Sequence, residues 1–132
     1  MRFADTSFWF SLQERRDRHH VEASALARTG RDRIVTSNHV LGETWTLLRR
    51  RSSHHAAVGF LDRLARLPRL ETAFVTAAVE AEAWRWLRRH NEREYSFVDA
   101  TSFAVMRRRR ISEALAFDGD FAAAGFVELR PR

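Results

Sequence analysis

The chain has 132 residues, 45% of them hydrophobic and 30% charged, the size and balance of one globular domain, which excludes collagen-like, low-complexity and disordered chains. Cysteine is absent, which removes disulfides and thiolate metal sites; no apolar run reaches the roughly 18 residues of a membrane span and residues 1–20 lack a signal peptide's apolar core, so a soluble, cytoplasmic protein is expected. The net charge is +6 and all 23 basic residues are Arg, a surface that suits a polyanionic partner, because guanidinium forks bind phosphate bidentately and stack on bases, and that equally serves solubility.

Residues 2–5 read as a short strand. Residues 6–29 read as helix in two pieces, with Gly30 as a C-terminal stop. Residues 33–36 form a second strand, after which Ser37 or Asn38 caps a helix to about Arg51. Another helix runs from about Ser53 to Leu67 and stops at Pro68. Residues 71–75 are a third strand, 76–90 an Ala-rich helix, and Ser96 opens a further helix to about Arg110. Residues 113–117 and 126–129 complete the pattern as strands. Strands alternating with helices predict an α/β fold: a mostly parallel central sheet of about five strands, covered on both faces, as a single domain over residues 1–132. In such sheets the site lies beyond the carboxyl ends of the strands.

Acidic residues gather at that edge. Asp5 ends the first strand and Asp118 the fourth. Each also suits a structural task, helix capping for Asp5 and an Asx-turn for Asp118-Gly119-Asp120. Glu43 falls on the border of the apolar stripe Val40, Leu41, Trp45, Leu47 and Leu48, where it needs a cation or a donor; Arg50, two turns on, is an available partner. Asp99 lies in a segment that is apolar or small on every side, so its helix should be buried. Ser96-Phe97-Val98-Asp99 also has the form of a capping box, with Asp in place of Glu. Carboxylates gathered on one edge repel one another and raise their pKa values, a penalty that a divalent cation removes. Hard oxygen donors without Cys favour Mg²⁺ or Mn²⁺, ions that activate water and neutralise phosphate charge during phosphodiester cleavage.

Asp5-Thr6-Ser7, Ser37-Asn38-His39-Val40-Leu41-Gly42-Glu43, Ser96-Phe97-Val98-Asp99-Ala100 and Phe117-Asp118-Gly119-Asp120-Phe121 resemble, in order and across the whole chain, the four motifs of PIN-domain nucleases. The small single-domain form is most similar to VapC toxins of type II toxin–antitoxin systems. The resemblance implies a PIN-like α/β/α sandwich and Mg²⁺- or Mn²⁺-dependent RNA cleavage. It implies acidic metal-binding positions at Asp5, Glu43, Asp99 and Asp118, with Asp120 auxiliary and a small polar partner at Thr6 or Ser7. A cognate antitoxin and a homodimer are implied as partners. Two rivals remain: a housekeeping PIN nuclease, and a non-catalytic Arg-rich RNA-binding module whose acids only cap helices.

Other features read more plainly. The pairs His19-His20 and His54-His55 lack the i, i+4 spacing of a helical metal site. The run Arg107–Arg110 ends a helix, where cations complement the dipole; RNA phosphate contact is the other reading. Phe8, Trp9 and Trp45 read as core, and their surplus of aromatic surface offers an exposed face for an antitoxin or a second copy.

Overall fold

The computed structural model describes residues 1–30 and 32–132. Its elements follow as β1 (Arg2–Ala4), α1 (Thr6–Gln13), α2 (His20–Thr29), β2 (Ile34–Ser37), α3 (Asn38–Arg51), α4 (His54–Ala65), β3 (Leu70–Ala73), α5 (Ala77–Arg89), α6 (Phe97–Arg109), β4 (Glu113–Leu115), α7 (Asp120–Ala123) and β5 (Val127–Glu128). All neighbouring strands pair in parallel, in the order β3-β2-β1-β4-β5. The chain therefore steps from β1 to β2 and β3 in one direction, then crosses to the other side of β1 for β4 and β5. The point where the order reverses, between β1 and β4, is the crevice at which open α/β sheets place their sites.

Local chemistry sets most helix starts. Ser37, Ser53, Thr76 and Ser96 each accept a bond from a backbone N–H in the first turn of α3, α4, α5 and α6, and Asp5 does the same for α1. Thr76 and Ser37 thus open helices directly beyond strand ends. α6 reaches the same edge differently: it precedes β4 and runs against the strands, so its amino terminus lies at their carboxyl ends.

Four of the five strands are shorter than the sequence predicts, and β2 keeps four residues one position later. Asp5 N still donates to Leu115 O at 3.0 Å, but Phe117 N turns to the Ser7 hydroxyl, so a side chain replaces the ladder beyond Leu115. Gly30 ends α2 in extended backbone (φ −87°, ψ 141°), not in the left-handed stop expected of it. Its glycine answers a packing demand instead, because a Cβ there would lie 2.0 Å from the buried Arg2 guanidinium. That guanidinium donates to Leu26 O and pairs with Asp32.

Two aromatic groups fill the interior. Trp9 packs on Phe8 and Phe60 and donates through Nε1 to Thr36 Oγ1 on β2, in the region where α1, α3 and α4 meet. Phe3 on β1 stacks on Phe121, which meets Phe103; Trp86, Tyr95 and Phe126 close around Phe103. Phe8 and Trp9 are each 1% exposed, so the exposed partner-binding face expected at these two residues is absent, and only Trp45 remains partly accessible. Burying both rings releases far more free energy than exposing them for a partner would conserve.

α6 is buried from Asp99 to Met106. It tolerates Thr101 and Ser102 because both hydroxyls bond back to Val98 O. The helix ends with Arg110 in the left-handed region (φ 57°) and Ile111 N on Met106 O. The Arg107–Arg110 run therefore stands at the amino-end edge of the sheet, opposite the acids. Arg108 pairs with Glu82 and Arg109 with Glu71 at the start of β3, while Arg107 lies over the Trp86 ring at 5.7 Å. The run caps a helix and ties down neighbours, and it does not border the acidic edge.

Candidate metal and nuclease centre

Asp5 is 2% exposed. Its Oδ2 accepts from Ser7 N at 3.2 Å and from Ser7 Oγ at 2.8 Å. The same hydroxyl accepts from Phe117 N at 3.1 Å. Ser7 therefore joins the end of β1 to the end of β4 and aims Asp5 at the switch point. Thr6, the other small polar residue expected beside the first acid, is buried, and its hydroxyl has no partner among the described residues.

Asp99 completes the capping box: Asp99 N donates to Ser96 Oγ at 2.9 Å, and Ser96 N donates to Asp99 Oδ2 at 3.0 Å. Asp118 makes the Asx-turn, its Oδ1 accepting from Asp120 N at 3.2 Å. Gly119 has φ 85° in this turn, a conformation only glycine adopts freely. Capping and clustering turn out to be one geometry. A helix start or tight turn anchors one carboxylate oxygen of Asp5, Asp99 and Asp118 with backbone N–H groups and so fixes where each carboxyl sits.

One ligand oxygen from each of Asp99, Asp118 and Asp120 lies within 4.8 Å of the others. Asp5 is not one of these three but stands at the same strand edge, where its partner Ser7 also takes Phe117 N, the neighbour of Asp118. Burial, then Asp118, then Asp99 push the Asp5 carboxyl well above the usual carboxylate range. Burial likewise raises Asp99 to about 6, with Asp120 and Asp118 adding to it against the Ser96 amide. Asp118 is raised first by its desolvation and further by Asp120 and Glu128. Asp99, Asp118 and Asp120, with Asp5 coupled to them, meet one cation within ion-pair distance among the described residues, Arg93 on Asp120, so the group stays short of positive charge. The donor set is all oxygen, close-set and free of Cys and His, which fits Mg²⁺ or Mn²⁺.

Glu43 stands apart. It is exposed on α3 and pairs neither with Arg50 nor with another described cation. Val40, Thr44 and Leu48 carry the buried face, and Glu43 is exposed at its margin, between buried Val40 and half-buried Leu47. It lines a groove of about 410 Å³ with His39, Gly42, Thr46, Leu47, Arg50 and Val98. Val98 is the chain neighbour of Asp99, but of the candidate acids only Glu43 lines this groove.

Three site residues escaped the sequence reading. Glu128, on the edge strand β5, accepts from Gly119 N and Ala122 N and so orders the turn carrying Asp118. Arg130 donates to Ala116 O and lies 5.0 Å from the Phe117 ring, on which His19 stacks at 4.6 Å. Arg93 donates to Asp120. None had a sequence signal beyond being a charged or polar residue near a chain turn.

A parallel five-stranded sheet with carboxylates converging at its switch point defines the class: the chain belongs to the PIN domain family, whose model matches residues 2–127. It is 58% identical over 132 residues, 99% of each chain, to the 23S rRNA-specific endonuclease VapC20 of Mycobacterium tuberculosis. The crystal structure of Mycobacterium tuberculosis VapC20, described as a sarcin–ricin loop cleaving toxin, superposes with a TM-score of 0.94. It is 54% identical, with 99% of this chain and 100% of that one covered.

Proposed function

We propose that this chain is a metal-dependent endoribonuclease, the toxin of a toxin–antitoxin pair, which cleaves the sarcin–ricin loop of 23S rRNA. The observation that carries the reading is the convergence of Asp99, Asp118 and Asp120 beside the buried Asp5. It occurs in a chain that matches a ribosomal-RNA endonuclease from end to end.

Asp99, Asp118 and Asp120 would hold Mg²⁺ or Mn²⁺, with Asp5 as a further ligand and Glu43 exposed on α3. Bound there, the cation supplies a water of lowered pKa and neutralises charge at the scissile phosphate. The chain's own residues prepare the place. Ser7 fixes the Asp5 oxygen, Ser96 fixes Asp99, and Glu128 fixes the turn beneath Asp118, so the oxygens are oriented before the substrate arrives. The raised pKa values mean that protons compete for the same oxygens, and loading releases them.

A ribonuclease of this kind acts in the cytoplasm and needs a cognate antitoxin as inhibitor. The resemblance also implies a homodimer, which sedimentation velocity reads directly. The purified protein should cut a sarcin–ricin stem-loop RNA at one position with Mg²⁺, and EDTA should abolish the cut. Intact RNA under saturating Mg²⁺ overturns the reading, and cleavage insensitive to EDTA overturns the metal.

A further inference from the structure

We propose that Arg93 is the residue that positions the RNA phosphate at this site, resting on the acidic carboxylates until the cation takes them. The inference rests on the RNA-cleaving reading above. Arg93 lies in the segment between α5 and α6, where Nε donates to Asp120 Oδ1 at 2.8 Å and Nη2 donates to the Asp118 carbonyl at 3.2 Å. Among the described residues it is the one cation within ion-pair distance of Asp99, Asp118 or Asp120.

Its side chain is 42% exposed, and Nη1 meets no acceptor among the described residues. The guanidinium therefore keeps donors turned outward while it sits on the carboxylate, and an exposed ion pair of this kind is readily exchanged. Arg93 occupies Asp120 Oδ1, so a cation ligated through that oxygen competes with the guanidinium for it. Loading the site weakens this pair and leaves Arg93, with Nη1 already unengaged among the described residues, beside the cation and free to meet an anion. The substrate phosphate is that anion, and Arg is the side chain whose planar fork fits it. The Arg run at the end of α6 cannot serve, because it lies at the opposite edge of the sheet.

The test uses Arg93→Gln and Arg93→Lys in the full chain, each checked for an unchanged fold by circular dichroism. Calorimetric titration with Mg²⁺ alone should show several-fold tighter binding in Arg93→Gln, since the competitor for Asp120 is gone. RNA binding is read in an Asp5→Asn background, which holds the stem-loop without cutting it. There Arg93→Gln should lower the log–log salt slope by about 0.7, one single-strand phosphate contact, and Arg93→Lys should restore it. An unchanged slope, or Mg²⁺ binding no tighter than wild type, overturns the proposal and makes Arg93 a brace for the Gly119 turn. If the Arg93-bearing protein binds no RNA at all, it is the RNA reading that fails, while the Mg²⁺ titration still reports whether Arg93 competes for Asp120.

Discussion

Asp99 both closes the capping box of α6 and stands among the clustered acids, and its titration exposes the cost of that double role. Its carboxyl ionises near 3.8 in an ordinary setting and at about 6 in the folded chain. The folded state therefore binds more protons than the unfolded state between those values, and stability falls as pH rises through the window. Above it the full penalty, on the order of 3 kcal/mol, remains. Metal-free protein should thus melt at a higher temperature at pH 4.5 than at pH 7.5 through this group, and saturating Mg²⁺ should erase much of the difference at pH 7.5. Calorimetric melts at the two pH values, with and without the ion, check this. Asp5→Asn follows the same logic. It keeps the shape and the Ser7 bond but removes a buried charge, so the apo form should melt a few degrees higher. Cleavage should fall by more than the ~10–100-fold typical of losing a residue that only orients a ligand. At this scale the sequence named four of the residues that gather, Asp5, Asp99, Asp118 and Asp120, because strand ends and helix starts mark the functional edge. Glu43, the remaining acid, stands exposed on α3 beside buried Val40 and half-buried Leu47. The sequence reading missed Glu128 and Arg93, whose roles depend on contacts across 9 and 27 residues.

Among elements, the helices were legible and the strands less so. Ser37, Ser53, Thr76 and Ser96 announce helix starts through chemistry that acts within three residues. A strand ends where a partner elsewhere stops pairing, and the Ser7 hydroxyl that takes Phe117 N cannot be read from either segment alone. α6 shows what tertiary packing adds. Its buried length joins the acidic edge to the Arg run at the far edge, and Phe103 within it anchors the aromatic group of Trp86, Tyr95, Phe121 and Phe126. Phe103→Ala should cost about 3–5 kcal/mol by chemical denaturation. Arg108→Gln with Arg109→Gln should remove two exposed ion pairs for about 0.2–1 kcal/mol each and leave the salt slope of RNA binding unchanged. A slope lowered by that pair would place RNA on the amino-end edge and contradict the geometry.

For the whole molecule, the prediction is cellular. Expression of this chain alone in bacteria should arrest growth, the Asp5→Asn form should not, and abundant soluble wild-type protein in healthy cells would count against the toxin reading. The burial of Phe8 and Trp9 removes those two rings from the surface an inhibitor could contact. The order of the sheet has a consequence for synthesis. β1 is made first yet sits at the centre, and its neighbour β4 and the bond from Phe117 N to Ser7 Oγ close across 110 residues. A growing chain carries Asp5 long before Asp99, Asp118 and Asp120 exist. The acidic group can assemble only once β4 has joined β1 and the turn at Gly119 has formed, so the site is the last part of the sheet edge to become whole.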